Sequence, residues 1–302
     1  AAQIAGIAFI FILGLLYIEK TARSRQRFMD TTQRSVEIPA RKCGFGLSIT
    51  CTVVCLLPVI LGFAIPVVVL AYFVLQGFSV SDFQAILSSA FNSVLVSAAA
   101  AVCVVLAASI MVLTVTYRHH PILQALTAIS AAGYAFPGVI LAIGVVSFSG
   151  FLDNLFATSL ETIFGFEVEG FLIGSTSLLI FAYVTRFQAI GYGALTAGTH
   201  RLPRNIMNAS FVLGRDFSNS MLTLGPTLLR KSMLTAGLLV FVDVMKELPI
   251  SLLLRPFNFN TLSTYVYQFA KDELLEEAAM AALGIVIVGL LPVILMNASQ
   301  RR

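Results

Sequence analysis

Asp243, Lys246 and Glu247 stand inside an otherwise apolar stretch, Met233–Leu254, that is long enough to cross a bilayer. Their offsets of three and four place all three on one face if the stretch is a continuous helix. A charge at the bilayer centre costs ~3 kcal/mol or more, so such residues normally face a cavity or pair with each other. Arg186, in the separate apolar stretch Phe171–Ile190, is a candidate counter-charge. Two roles fit this group. Asp243 and Glu247 line a polar pathway, or Asp243, Lys246, Glu247 and Arg186 form a near-neutral network that fixes helix packing.

Other chemistry is poorly served. The chain has no G-x-x-x-x-G-K-[ST] to cradle ATP phosphates, and neither H-E-x-x-H nor G-x-S-x-G occurs. His119, His120 and His200 fall in segments between the apolar stretches, where a solvated or interfacial His is far commoner than a catalytic one, so an intramembrane hydrolase lacks its base. Cys51 and Cys55 share a helix face at i, i+4, yet two thiols with no nearby His make a poor metal site. Together with Cys103 they read as small apolar fillers.

The elements that carry these residues follow from composition. Of 302 residues, 58% are hydrophobic and 11% charged, against about 25% charged in a soluble domain. Mean hydropathy is +0.92, which excludes an ordinary globular enzyme and a disordered chain. Seven stretches qualify as membrane spans: Ala1–Ile18, Gly44–Leu75, Ala90–Thr116, Ile122–Phe148, Phe171–Ile190, Met233–Leu254 and Ala278–Met296. Their apolar residues run continuously, unlike the alternation of a membrane β-barrel. The expected fold is therefore all-α and polytopic. Pro58 and Pro66 predict a kinked or broken first full span. Small residues at Ser97–Ala101 and Ala107–Ser109 predict close helix approach in the next.

Charge placement predicts the orientation. With 19–43 cytoplasmic and the chain alternating sides, the inner segments 19–43, 117–121, 191–232 and 297–302 hold 15 of the 19 Lys and Arg residues. The outer segments 76–89, 149–170 and 255–276 hold only Arg255 and Lys271, with Asp82, Asp153, Glu161, Glu167, Glu169, Asp272, Glu273 and Glu276. Positive residues collect on the cytoplasmic side of short loops, so the C-terminus is expected in the cytoplasm. A nucleic-acid role for Arg23, Arg25 and Arg27 is a much weaker reading. The sequence given opens directly on the apolar run Ala1–Ile18 with no basic n-region before the run, and no A-x-A-like site follows it. That run therefore reads as the end of a span from a preceding half, not as a signal peptide. Residues 19–43, with Pro39, read as a basic cytoplasmic linker, and 44–302 as a six-span unit.

The inner segment His200–Ser232 is long for a connection. Ile206, Ala209, Ser210 and Leu213 fall on one face at helical spacing, Gly214 breaks the pattern, and Phe217, Met221 and Leu224 form a second stripe ended by Gly225 and Pro226. Helix, turn, helix on the membrane surface is expected. The alternative is an interfacial helix that only anchors the loop in headgroups.

Asn208-Ala209-Ser210, then Gly214, Pro226 and Leu228-Leu229, resembles the coupling loop of ABC-importer permeases, usually Glu-Ala-Ala, three residues, Gly, nine residues, Ile-x-Leu-Pro. Here Asn208 replaces Glu, Ser210 replaces the second Ala, and Pro226 comes one residue early. The run Leu239-Val-Phe-Val-Asp-Val-Met-Lys-Glu-Leu-Pro249, with Leu252-Leu-Leu-Arg-Pro-Phe-Asn-Phe259 and Glu276-Glu-Ala-Ala279, closely resembles ferric-iron ABC transporter permeases of the binding-protein-dependent type I importer family. It is most similar to the C-terminal half of their fused two-half form, as is Gly133-Tyr134-Ala135-Phe136-Pro137-Gly138. Glu277-Ala278-Ala279 is a literal Glu-Ala-Ala, but the charge pattern puts it at the outer face, where no ATPase can dock.

The resemblance implies a MetI-like six-helix permease in the bacterial inner membrane, with no cofactor and no enzymatic activity of its own. It further implies a cytoplasmic ABC ATPase dimer, a periplasmic substrate-binding protein, a preceding permease half on the same chain, and Fe3+ as cargo. Asn208, Ala209, Ser210, Gly214 and Pro226 would then form the ATPase-coupling loop. Asp243, Lys246, Glu247, Tyr134, Tyr183 and Arg186 become pathway candidates. Fe3+ is hard and prefers oxygen, so Tyr134, Tyr183 and Glu247 are the plausible transient ligands. Thiamine, phosphonate and polyamine permeases are broadly similar and keep the cargo open. An ATP-independent secondary transporter with Asp243 and Glu247 as its ion relay is the competing class.

Overall fold

The structure, a computed structural model, describes residues 44–77, 83–117, 120–164, 172–199 and 205–300, with scattered positions before residue 22. Most of the expected 1–18 span, and nearly all of the 19–43 linker, lie outside the described residues, as do His119 and His200. Contacts divide the chain into two units, residues 1–72 and 73–302.

Every element among the described residues is helical: α1 (Phe45–Val59), α2 (Ile65–Gly77), α3 (Phe83–Tyr117), α4 (Pro121–Ala131), α5 (Gly138–Phe164), α6 (Thr176–Thr199), α7 (Asn205–Val212), α8 (Phe217–Met245), α9 (Pro249–Leu254), α10 (Leu262–Lys271) and α11 (Leu275–Gln300). Among the described residues, five apolar helices are long enough to cross a membrane: Phe45–Gly77, Phe83–Thr116, Gly138–Ala157, Thr176–Thr199 and Leu275–Ile294. In the first of these, α1 and α2 are joined by a π-helical turn, Ile60–Ala64, just after Pro58. Proline deletes one helical donor and crowds the preceding turn, and a wider turn absorbs that defect.

Two expected spans are not continuous helices. Ile122–Phe148 is split into α4, a 3₁₀ turn at Ala132–Ala135, and α5. Met233–Leu254 is split between the end of α8 and the short α9. The cause in each case is a proline, Pro137 and Pro249, which has no N–H to give and whose ring collides with the carbonyl four residues back. The opposite correction applies at Gly225 and Pro226, expected to end a short stripe: α8 runs straight through them. The missing bond there is outweighed by packing on either side, where Ser220 and Leu229 are fully buried.

In the second unit, α3, α6 and α8 pack together, and α5 and α9 close one end. One core cluster joins Val96, Ala100 and Val104 of α3 to Leu179, Tyr183 and Phe187 of α6, and to Val240 and Val244 of α8. The buried face of α3 is a file of small residues, Ser89, Ser93, Ser97, Ala100, Ala101, Val104 and Ala108. Apart from the adjacent Ala100 and Ala101, spacings of three and four keep these residues on one face, and their small side chains let neighbouring backbones come close. The face also accepts the segment after α9. The Ser93 hydroxyl accepts the Leu262 N–H at 2.7 Å, and the Asn92 side chain donates to the Asn260 carbonyl at 3.1 Å. A capping box at Thr261 and Thr264 then starts α10.

Ser93→Ala leaves the buried Leu262 N–H without an acceptor. It should cost about 1–3 kcal/mol of stability in denaturant unfolding of the detergent-solubilised protein. Ser88→Ala, which removes only an exposed bond to the Ala85 carbonyl, should be nearly silent.

Candidate functional site: two helix breaks joined by Arg186

The two proline breaks meet. Arg186 lies on α6, part-buried, and Nη1 donates to the Phe136 carbonyl in the first break at 3.2 Å. Its Nε faces Glu247 Oε2 in the second break at 3.6 Å, with side chains only 17% and 10% exposed. Gly138 opens α5 between them. A Cβ there would sit 2.6 Å from Arg186 Nη1, 2.7 Å from Glu247 Oε1 and 3.2 Å from Pro249 Cβ. The Gly-Tyr-Ala-Phe-Pro-Gly run and the Lys-Glu-Leu-Pro run are thus two sides of one site, and a side chain at 138 would displace the ends of Arg186 and Glu247 from these positions.

The Glu247 backbone is held as firmly as its side chain. Its carbonyl accepts from Ser251 Oγ at 2.7 Å and from Ser263 Oγ at 3.0 Å. The Ser251 hydroxyl in turn contacts the Tyr183 hydroxyl at 2.5 Å. A carbonyl freed by a helix break in an apolar interior must find such donors. Ser251 and Ser263 supply them from the flanking helices. Glu247 Oε1, by contrast, is buried with no hydrogen-bond partner.

The sequence placed Asp243, Lys246 and Glu247 on one helix face; the structure separates them into two pairs. Lys246 ends α8 and its Nζ binds Asp243 Oδ1 at 2.6 Å. Glu247 lies past the helix end and turns to Arg186. Of the pathway candidates, Tyr134 is half-exposed, with its ring 6.2 Å from Phe187. Tyr183 is fully buried and bonded to Ser251, which makes it a strut in this conformation. No group of three or more His, Cys, Asp or Glu able to hold a metal occurs among the described residues. A cavity of about 640 Å³ lies beside the first break, walled by apolar groups such as Met111, Phe136 and Ile140. Gln188 borders it with an unpartnered buried Oε1, but the cavity offers no charge to an ionic ligand.

The residues expected to form a coupling loop make a compact turn. Residues 205–212 make α7, with Asn208 in it, and Gly214 follows at φ +81°. Gly214 N–H donates to Phe211 O at 2.9 Å and Arg215 N–H to Ser210 O at 3.2 Å, the double bond pattern of a Schellman cap that glycine favours. Asp216 then caps α8 by accepting the Asn219 N–H at 3.2 Å. Ser210 and Ser220, both buried, tie the two helices at 2.7 Å. Of the expected face, Ser210 is buried, and the Ile206 side chain lies outside the described residues. Ala209 and Leu213 point outward, and Val212 and Leu213 are 87% and 82% exposed. Pro226 sits exposed within α8.

Asp153, counted above as an outer-loop acid, is inside α5 and buried, accepting the Leu172 and Ile173 N–H groups at 3.1 and 3.2 Å. It anchors the entry to α6 and therefore the depth of Arg186. Its apolar neighbours Phe151, Leu155 and Phe156 were the available signal. Ser251 and Ser263 carried none, because a buried serine among apolar residues looks like a small filler.

The fold is one shared with chains of solved bacterial ABC transporters. The chain superposes on a chain of a bacterial alginate ABC transporter, solved with an alginate-pentasaccharide-bound periplasmic protein, with a TM-score of 0.66 and 14% identity over 85% of this chain and 94% of that one. A second structure of a bacterial ABC transporter that imports alginate gives 0.65, again at 14%, over 85% and 96%. In sequence the chain is similar to the Fe(3+)-transport system permease protein FbpB 2 of Haemophilus influenzae, 28% identical over 243 residues, 79% of this chain and 44% of the relative. It therefore spans less than half the length of that relative. No protein-family model matches the chain.

Arg186→Met strands the Glu247 carboxylate, a loss of about 3–5 kcal/mol for a buried pair. The Arg186→Met/Glu247→Leu double variant should regain most of it. Thermal unfolding in detergent checks both, and equal losses in the single and double variants would mean that the pair is not buried.

Proposed function

We propose that the chain is the transmembrane permease part of an ATP-driven ABC importer for ferric iron, delivered by a periplasmic binding protein. The observation that carries the cargo is the similarity to an Fe(3+)-transport permease across 79% of the chain. The alginate transporters share the fold at 14% identity, which says nothing about cargo.

In this reading residues 44–302 are the six-span unit, and a preceding half completes the pathway. The protein lies in the bacterial inner membrane with its C-terminus in the cytoplasm. A separate ATPase dimer docks on α7 and the Gly214 turn, whose exposed Val212 and Leu213 offer it an apolar knob. From the Asp216 cap to Lys246, α8 is one helix of 29 residues, about 43 Å at 1.5 Å per residue. A displacement of α7 on ATP closure is therefore transmitted along a single rod to the Lys246–Glu247 break, a rigid-body transition.

The test is ATP-dependent uptake of labelled Fe(III) into proteoliposomes holding the full-length parent, its ATPase and its binding protein. Wild type should import iron. Glu247→Gln should lower uptake at least tenfold if the carboxylate serves the pathway. Gly214→Val, strained at positive φ, should retain ATP hydrolysis while transport falls. Iron failing to enter while the binding protein still stimulates ATP hydrolysis would contradict the cargo; normal transport by Gly214→Val would contradict the coupling turn.

A further inference from the structure

Resting on the reading that α8 moves the second break, we infer that Ser263 is a positioning residue that carries this movement on to α10, so that the outer-side helix answers the nucleotide state. The Glu247 carbonyl has two lone pairs, and both are used. Ser251 Oγ donates to it from α9 at 2.7 Å, and Ser263 Oγ from α10 at 3.0 Å. Since the Ser263 proton goes to that carbonyl, its oxygen is left to accept from the Thr261 hydroxyl at 3.0 Å. Thr261 Oγ1 in turn accepts the Thr264 N–H at 3.3 Å. A file of donors therefore runs from the first turn of α10 to the break and ends on Glu247.

α10 can turn a small pull at one end into movement at the other. Its first turn, Leu262–Tyr265, is buried, whereas Tyr267, Gln268, Ala270 and Lys271 are exposed. The Leu262 N–H is pinned to Ser93 of α3 at 2.7 Å, so a force on the neighbouring Ser263 turns the helix about that pin. Ten residues at 1.5 Å each put the exposed end about 15 Å away. Met245, the last residue of α8, shares an apolar cluster with Leu262 and Tyr265, but such packing has no direction and tolerates sliding. The Ser263–Glu247 bond is directional and is lost when its geometry is lost. By the charge pattern, the exposed half of α10 belongs to the outer segment 255–276, where Lys271, Asp272 and Glu273 stand. Movement arriving along α8 from the cytoplasmic side therefore passes to the outer face through one hydrogen bond.

The experiment is amide hydrogen exchange, read by mass spectrometry, on the full-length parent with its ATPase in proteoliposomes, with and without ATP trapped on the ATPase. In wild type, peptides covering 244–252 and 266–271 should both change on trapping, the second by about fivefold, the protection of about one hydrogen bond. Ser263→Ala should abolish the response of 266–271 while that of 244–252 persists, and Ser263→Thr, which keeps the hydroxyl, should restore it. Ser251→Ala takes the α9 donor from the same carbonyl and should leave the α10 response in place. If Ser251→Ala and Ser263→Ala behave alike, the effect is a general loosening of the break and the inference is overturned. It is overturned equally by a wild type in which 244–252 responds and 266–271 does not, a result that needs no variant to fold, or by a Ser263→Ala protein in which both still respond. In each of these cases the importer reading stands. If ATP leaves 244–252 itself unchanged, the claim that α8 moves the break falls and takes the inference with it.

Discussion

A helix that breaks inside an apolar slab exposes backbone groups that no water can satisfy, and the centre of this protein is organised around two such breaks. Arg186 is the side chain that serves both. It donates to the Phe136 carbonyl of one break and neutralises Glu247 in the other. Ser251 and Ser263 take care of the Glu247 carbonyl, Tyr183 fixes Ser251, and Gly138 leaves the room in which the guanidinium and carboxylate meet. Remove the guanidinium and a buried anion and an orphaned carbonyl appear together. That joint dependence favours a single arrangement of α5, α6, α8 and α9.

The helical, membrane-spanning character was legible in composition and run length alone, because bilayer thickness dictates span length and every span must be internally hydrogen-bonded. Span boundaries were less legible. Ile122–Phe148 and Met233–Leu254 are apolar enough to read as intact spans, yet Pro137 and Pro249 cut them. Hydropathy measures side-chain transfer and is blind to a missing N–H. Pro226 shows the converse, since the same residue type interrupts nothing where Ser220 and Leu229 pack the helix in place. Whether a proline breaks a helix is decided by what surrounds it, and a local pattern does not contain that.

The candidate site was half legible. Arg186, Asp243, Lys246 and Glu247 stood out because charge is rare in such a chain. Their pairing did not, because helical offsets placed Lys246 and Glu247 together when the break turns them apart. Asp153 was misplaced for a related reason: it was read as a loop acid when it caps the approach to α6 from inside α5. In the turn after α7, Gly214 was recognisable as a helix stop, whereas which residues of the 206–213 stripe turn inward was not. Ser210 faces inward through its bond to Ser220, and Leu213 faces out.

The central claim is that the paired breaks border the route through the membrane and that α8 moves them. Single cysteines at Lys246 and Tyr134, in a full-length parent whose native cysteines are replaced by serine, test it directly. Reaction with a membrane-impermeant maleimide is timed in proteoliposomes with and without ATP trapped on the ATPase. The account predicts that Lys246→Cys and Tyr134→Cys label in one nucleotide state and are protected in the other, while Ile287→Cys, on the exposed apolar face of α11, labels in neither. Lys246→Cys and Tyr134→Cys that stay unreactive in both states, or react equally in both, would contradict it.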